Sequence, residues 1–385
     1  MDESKRQLIA DALKRIVDTA RQGGPTVRIG LMAWGSELGE AEIIEAGKLA
    51  QREFPHIRVV FIGPKPVNVD DSLEWFETPD CEADIISALQ QAMDEGLVAG
   101  IVAMHYPFPI GVTTVGRIMT PGHGKPMFIA SSTGTSAASR TESLLRNAIY
   151  GIAVAKASGI EHPEVAFLNL DGAGVALRSL KRLQDNGYSV NFGGSRRKEG
   201  GSLLRGNDLV SGAVDVMVCD TLTGNALLKV FSTYTTDGKY ESMGWGYGPS
   251  VGEGWKRIVS IVSRASGAPV IANAISLTAR VAKGKLQALV AAELSAAYAA
   301  GFEQVLEDMK PKVASGREAV AMPPVVPVDA EIAGVDVLDM ENAVRTLWKE
   351  NIYAETAMGC TGPVVRVRVA DKDEAARFLK RAGYI

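Results

Sequence analysis

The chain has 385 residues, of which 46% are apolar and 22% charged, and its formal net charge is −4. This length predicts two domains or one large α/β unit with an appendage, and the charge argues against nucleic-acid binding. The N-terminal sequence is charged and is therefore not expected to be a secretory signal, and no uncharged apolar run is long enough for a membrane span. The three cysteines show no pairing pattern, which predicts that the protein works in a reducing cytoplasm.

Strand-like and helix-like segments alternate along the first 309 residues. A helix is predicted over residues 4–22, and an Ala-rich helical stretch, broken near Gly284, over residues 270–309. Short apolar runs predict buried strands at 27–34, 57–63, 97–104, 125–131, 164–170 and 214–220. This alternation predicts an α/β fold with a mostly parallel sheet and helices on both faces.

A proline-rich segment divides the chain. Residues 310–335 contain clustered prolines and predict a linker. The α/β body is therefore expected over residues 1–309, and a small C-terminal α/β module over residues 336–385.

A loop rich in hydroxyl groups follows the predicted strand at 125–131. It contains Ser131, Ser132, Thr133, Gly134 and Thr135, which are candidate phosphate-binding residues. Small polar residues at the carboxyl end of a parallel strand lie where α/β proteins bind ligands, although such residues are also common in ordinary loops.

A second candidate is VDVMVCDTLTGNALLKV, residues 214–230, which predicts a strand, a turn and a helix. Hydroxyl groups and free amides at the start of a helix can bind phosphate, and a lysine follows within two turns. The alternative is a plain strand-to-helix turn with a threonine as N-cap. The candidate phosphate-binding residues here are Asp220, Thr221, Thr223, Gly224, Asn225 and Lys229.

The three cysteines differ in their surroundings. Cys219 lies in an apolar strand and is expected to pack in the core, whereas Cys81 precedes a predicted helix and is expected to have no special role. Cys360 lies between Gly359 and Gly362, where exposed amides can form an anion-binding nest. Such a nest would lower the thiol pKa and hold the oxyanion of a thioester intermediate; a glycine-rich turn with an incidental cysteine is the alternative.

No cofactor or metal is predicted. The four histidines are scattered, without zinc-ligand spacing. The glycine-rich stretch MGWGYGPSVGEG (243–254) lacks the spacing and acidic partner of a dinucleotide-binding fingerprint, and predicts a mobile loop.

The segment VDVMVCDTLTGNALLK resembles the strand–turn–helix signature of the phosphate acyltransferases of phospholipid synthesis. HPEVAFLNLDG and LRSLKRLQDNGYSVNFGGS follow the order of that family, and the resemblance covers roughly residues 97–310. It implies the fold shared with isocitrate and isopropylmalate dehydrogenases. Two segments depart from the family pattern, Asp220-Thr221-Leu222 and Ser131–Thr135, and they argue against a long acyl chain on a carrier protein.

The segment YAETAMGCTGPVV resembles the C-terminal segment of the alpha subunits of component C of the glycine/sarcosine/betaine reductase complex, and the similarity extends over nearly the whole chain. In that family the cysteine of this motif carries an acetyl group, and it matches Cys360. The resemblance implies that an acetyl unit from selenoprotein A becomes a thioester, which phosphate cleaves to acetyl phosphate. Gly359, Thr361 and Gly362 would then form the oxyanion turn.

The resemblance also implies partners. These are the larger beta subunit of component C, selenoprotein A as acetyl donor and inorganic phosphate; neither nucleic acid nor a membrane is expected, and a homo-oligomer is left open. Two rival functions remain, a stand-alone phosphate acyltransferase and a non-catalytic subunit of a reductase complex. A dehydrogenase is disfavoured because no set of metal-binding aspartates is visible.

Overall fold

The computed structural model describes residues 26–196, 200–309, 320–333, 335, 340–359 and 362–385. The helix predicted over residues 4–22 lies outside the described residues, as do Cys360, Thr361 and residues 310–319 of the predicted linker.

Within the described residues, twelve strands form one large sheet. The strands are β1 (Val27–Met32), β2 (Ile57–Gly63), β3 (Glu74–Glu77), β4 (Ile101–Ala103), β5 (Val112–Met119), β6 (Pro126–Gly134), β7 (Glu164–Leu168), β8 (Asn191–Phe192), β9 (Leu203–Leu204), β10 (Val216–Val218), β11 (Gly248–Gly252) and β12 (Val259–Ile261). Their order is β3-β2-β1-β4-β12-β11-β5-β6-β10-β7-β8, and β9 pairs with β7.

The sheet is parallel in two halves. β3, β2, β1, β4 and β12 are parallel neighbours, and so are β6, β10, β7 and β8. Between them β11 and β5 run antiparallel to their neighbours. The mostly parallel α/β sheet predicted from the sequence is confirmed.

Helices connect the strands and bury two apolar clusters against the sheet. They are α1 (Glu40–Glu53), α2 (Glu82–Asp94), α3 (Arg140–Ala157), α4 (Ala173–Asp185), α5 (Gly206–Ser211), α6 (Thr221–Thr233), α7 (Ala268–Lys283), α8 (Leu286–Ala299) and α9 (Phe302–Met309). One cluster includes Ile43 of α1 and Leu89 of α2, and the other includes Leu145 of α3 and Leu294 of α8. The break predicted near Gly284 is confirmed, and a Cβ there would lie 2.1 Å from the carbonyl oxygen of Ala157.

A second, smaller sheet forms near the end of the chain. It consists of β13 (Ala330–Ala333), β14 (Ala354–Gly359) and β15 (Gly362–Val367), in the antiparallel order β13-β15-β14. Helices α10 (Met340–Lys349) and α11 (Lys372–Arg381) pack on it and complete a third apolar cluster. The first strand of this sheet comes from the segment that the sequence predicts as linker.

The six predicted strands are confirmed, each overlapping an observed strand. The mobile loop predicted at 243–254 is wrong, because Gly248–Gly252 form the buried strand β11. The glycines there permit close backbone approach: a Cβ on Gly248 would lie 1.7 Å from the carbonyl oxygen of Val115. No helix in the described part of the chain is both long and apolar enough to cross a membrane.

Candidate functional site

A cavity of about 800 Å³ lies between the large sheet and the β14–β15 hairpin. Six segments line it: the connection after β4, the end of β6 with the loop that follows, the start of α3, the start of α6, the end of β12, and the tip of the hairpin. Its polar side chains include those of Ser132, Thr133, Thr135, Asp220, Thr221, Asn225, Arg140 and His105. The apolar wall includes Met104, Phe108, Ile261 and Met358. The two hydroxyl-rich loops found in the sequence therefore meet in one cavity.

The end of β6 divides its hydroxyl groups between the core and the cavity. Ser131 and Ser132 are fully buried, and Ser132 Oγ donates to the carbonyl oxygen of Tyr247 at 2.5 Å. Thr133 and Thr135 are half-buried and line the cavity with Gly134. Of this loop, the threonines are thus the better placed to contact a ligand.

Asp220 caps helix α6 with its own side chain. Its Oδ1 accepts from the amide of Thr223 at 3.0 Å, and its Oδ2 accepts from Thr223 Oγ1 at 2.7 Å. Burial would raise the pKa of Asp220, but these hydrogen bonds and the nearby Arg140 charge outweigh burial and lower it. The carboxyl group is therefore ionised at neutral pH and faces the cavity with a negative charge.

Direct hydrogen bonds join the two loops. Thr221 Oγ1 lies 2.9 Å from Ser131 Oγ and donates to the carbonyl oxygen of Gly134 at 3.0 Å. Asn225 Nδ2 donates to the carbonyl oxygen of Ser132 at 3.1 Å. A Cβ on Gly224 would lie 1.8 Å from the Ser131 carbonyl oxygen, so glycine allows α6 to begin against β6.

Arg140 is a cavity residue that the sequence interpretation missed. It is the first residue of α3, where the Ser139 hydroxyl accepts from the Glu142 amide at 3.5 Å. Its Nη2 lies 3.3 Å from Asp220 Oδ2, and its Nη1 lies 3.8 Å from an oxygen of Asp171. Among the described lining residues it is the only lysine or arginine, so it is the fixed cation available to an anionic ligand.

The tip of the β14–β15 hairpin forms the remaining wall. Met358, Gly359 and Pro363 line the cavity, and the register of the hairpin pairs Gly359 with Gly362. The amide of Met358 donates to the carbonyl oxygen of Phe108 at 3.1 Å, which attaches the hairpin to the body. Cys360 and Thr361 follow Gly359 in the sequence and lie outside the described residues.

Some of the predicted phosphate-binding residues do not line the cavity. Three of them contact other residues of the two segments and not the cavity: Ser131 is hydrogen-bonded to Thr221, Thr223 to Asp220, and Gly224 packs against the carbonyl group of Ser131. Lys229 lies two turns into α6, where its Nζ donates to Glu241 Oε1 at 2.5 Å and to Ser263 Oγ at 2.9 Å. Its charge therefore balances a buried carboxylate.

The two described cysteines have the surroundings expected from the sequence. Cys219 is fully buried, burial raises the pKa of its thiol, and its Sγ lies 3.6 Å from the carbonyl oxygen of Ser131. Cys81 is exposed at the N-cap of α2, and its side chain makes no capping hydrogen bond. Cys219 is accordingly a poor nucleophile.

His105 is the second cavity residue that the sequence did not identify. It lies just beyond β4, and its Nε2 is 3.5 Å from Glu82 Oε1 at the start of α2. Because Glu82 and His105 are far apart in the sequence, no motif spacing could have revealed that they are in contact. In the part of the chain that the structure describes, no group of three or more histidine, cysteine, aspartate or glutamate side chains is arranged to hold a metal ion.

Comparisons with known proteins give two sets of relatives. A family model described as fatty acid synthesis protein matches residues 27–366. The glycine/sarcosine/betaine reductase complex component C subunit alpha from Peptoclostridium acidaminophilum is 48% identical over 384 residues, which cover 99% of each chain. A phosphate acyltransferase from Lactobacillus delbrueckii subsp. bulgaricus is 28% identical over 243 residues, covering 52% of this chain and 70% of the relative.

A search of solved structures also finds a similar chain. The crystal structure of a branched-chain phosphotransacylase from Enterococcus faecalis V583 is 16% identical and has a TM-score of 0.48. The match covers 67% of this chain and 99% of that chain.

Proposed function

The chain belongs to the fatty acid synthesis protein family, and within it to the group of component C alpha subunits of the glycine/sarcosine/betaine reductase complex. From that premise we propose that it is an acyltransferase subunit. It accepts an acetyl group as a thioester on Cys360 and releases that group to inorganic phosphate as acetyl phosphate. The premise supports this role because the more distant relatives are phosphate acyltransferases, whose name describes acyl transfer involving phosphate.

One observation carries the proposal. A single cavity is lined by both hydroxyl-rich loops and by Gly359 and Pro363, on either side of the cysteine motif. The described ends of β14 and β15, between which Cys360 lies in the sequence, are therefore next to the segments expected to bind phosphate. Holding two reactants together in this way removes much of the entropic cost of a reaction between them.

The chemistry needs a group that is both a nucleophile and a leaving group, and a thiolate is both. In phosphorolysis a phosphate oxygen forms the new C–O bond, the C–S bond breaks, and the proton of hydrogen phosphate ends on the cysteine sulfur. Arg140 would contact the phosphate oxygens together with the hydroxyl groups of Thr133 and Thr135, because the Thr221 hydroxyl already donates to the carbonyl oxygen of Gly134. The backbone around Gly359 and Gly362 would hold the oxyanion.

The proposal includes partners. The relative that shares 48% identity is named as the alpha subunit of component C of a reductase complex, which supports a partner beta subunit for this chain. Selenoprotein A is the proposed source of the acetyl unit, and inorganic phosphate is the acceptor.

Replacing Cys360 tests this function. Cys360→Ala should abolish the arsenate-dependent hydrolysis of acetyl phosphate, which runs the thioester step in reverse and then intercepts it. The matched control Cys81→Ala should keep full activity, because Cys81 is exposed and does not line the cavity. Mass spectrometry of protein treated with acetyl phosphate should place an acetyl group on Cys360.

Full activity of Cys360→Ala would contradict the thioester mechanism. If complex turnover also stayed intact, the result would favour the non-catalytic subunit.

A second candidate function is a stand-alone phosphate acyltransferase acting on longer acyl groups. The cavity volume of about 800 Å³ and its wall of Met104, Phe108 and Ile261 favour it, because acetyl and phosphate alone need much less space. Comparing acetyl phosphate with a long-chain acyl phosphate separates the two functions. Faster turnover of the long chain, without need for Cys360, would favour this second candidate.

A further inference from the structure

His105 lies where the body meets the small C-terminal sheet. It belongs to the segment 104–109, which runs from the end of β4 toward β5 and lines the cavity with Tyr106 and Phe108. The same segment holds the hairpin, because Phe108 accepts from the Met358 amide at 3.1 Å and Pro109 forms a β-bridge with Ala357. His105 is thus on the element that positions the hairpin tip.

Charged groups from three elements face this imidazole. Glu82 of α2 contacts its Nε2 at 3.5 Å, Arg264 follows β12, and Glu331 belongs to β13 of the small sheet. Burial lowers the pKa of His105 below its usual value, Glu82 and Glu331 act to raise it, and Arg264 acts to lower it. The imidazole is therefore mainly neutral at pH 7 and able to accept a proton.

The other titratable side chains of the described wall are less suited to proton transfer near neutral pH. The pKa of Asp220 is lowered, so its carboxylate is a weak base. Burial raises the pKa of Tyr106, so its phenol stays protonated. Efficient acid–base catalysis needs a group that can both accept and release a proton, and His105 is the imidazole that lines the described wall of the cavity.

We propose that His105 is the proton-transfer residue of the cleft, which moves the proton between the incoming phosphate and the departing thiol. This inference rests on the proposed function. In phosphorolysis the neutral imidazole takes the proton of hydrogen phosphate as the C–O bond forms. The imidazolium then gives that proton to the cysteine sulfur as the C–S bond breaks. No oxidant, reductant or further reactant is needed, and the imidazole ends neutral.

The first test compares the full-length chain with His105→Gln and with His123→Gln, a control at an exposed turn outside the cavity. Arsenolysis of acetyl phosphate should fall about 10²–10⁴-fold in His105→Gln and stay unchanged in the control. The wild-type rate should fall as the pH drops through a value below about 6.5, which gives the pH–rate profile an acidic limb. The profile of His105→Gln should lack this acidic limb. Added imidazole should restore part of the rate to His105→Ala, which a purely structural role would not allow.

Two neighbouring variants test the assignment of the pH limb. Glu82→Gln should move the acidic limb to lower pH, because a charge that raises the pKa of His105 is lost. Arg264→Gln should move the acidic limb to higher pH, because a charge that lowers this pKa is lost. An unchanged rate in His105→Gln, or a pH limb that persists in it, would overturn the inference while leaving Cys360 acetylation intact. Absence of acetylation in the wild-type chain would instead overturn the proposed function, and this inference with it.

Discussion

The cavity predicts that phosphate recognition depends on Arg140, and Arg140→Leu tests it. The guanidinium is the only lysine or arginine group in the described wall, and it also lies 3.3 Å from the ionised Asp220. Its removal takes away a charged donor and leaves the Asp220 carboxylate without its cation. Both effects should weaken the binding of phosphate and of its analogue arsenate.

The size of the effect follows from exposure. A hydrogen bond to a charged group contributes about 1.5–3 kcal/mol. The Arg140 side chain is 49% exposed, so water screens the interaction and the lower part of this range applies. A loss of about 1.5–2 kcal/mol corresponds to a rise of about 10–30-fold in the KM for arsenate.

The assay is the initial rate of acetyl phosphate arsenolysis measured against arsenate concentration. Arg182→Leu is the matched control, because Arg182 is also 49% exposed and also pairs with an aspartate, Asp308, but does not line the cavity. Arg140→Lys should lie between wild type and Arg140→Leu, because lysine keeps the charge and loses the two-pronged geometry. A KM within twofold of wild type in Arg140→Leu would refute the reasoning.

Two further predictions concern stability and domain structure. Lys229→Met should lower the free energy of unfolding by about 2–3 kcal/mol, which is less than the usual cost of breaking a buried ion pair because Lys229 is 43% exposed. In thermal denaturation, the double variant Lys229→Met/Glu241→Gln should recover most of this loss. A raised KM for arsenate without a loss of stability would instead favour Lys229 as a phosphate ligand. Removing residues 320–385 should leave a folded body without acetyl transfer, because the buried residues of the third apolar cluster all come from Ala330 onward. Loss of the far-ultraviolet circular dichroism signal in the shortened chain would contradict this prediction.

The sequence was sufficient for β1, β2, β4, β6, β7 and β10, because each lies in a short apolar run that is mostly buried. It did not predict the parallel strands β3, β8, β9 and β12, which are only two to four residues long. It was insufficient for β5 and β11, which lie between the two parallel halves. Thr113 and Thr114 of β5 read as polar, but they are buried and bonded to the end of β6. In β11 the glycines read as a loop because the approach of Val115 to Gly248 is a tertiary contact.

The site shows the same limit. The segments 131–135 and 220–225 could be found because each carries hydroxyl groups at the end of an apolar run. The fold places residues 131–134 at the end of β6 and residues 221–225 at the start of α6, so neither segment is a free loop. Arg140 and His105 could not be found, because their importance depends on distances to Asp220 and Glu82 that only the folded chain sets. A single arginine or histidine in a sequence carries no sign of what it will face.

The start of α6 gives the reason why the proposed phosphate site would need an arginine. A free helix N-terminus attracts anions through its unpaired amides, which made this turn a natural phosphate site in the sequence. In the folded chain Asp220 takes the Thr223 amide with its own carboxylate, and its charge opposes an incoming phosphate. Arg140 pairs with that carboxylate through its Nη2 and so offsets its charge. The proposed phosphate binding would therefore depend on the pairing of α3 with α6 more than on either helix alone.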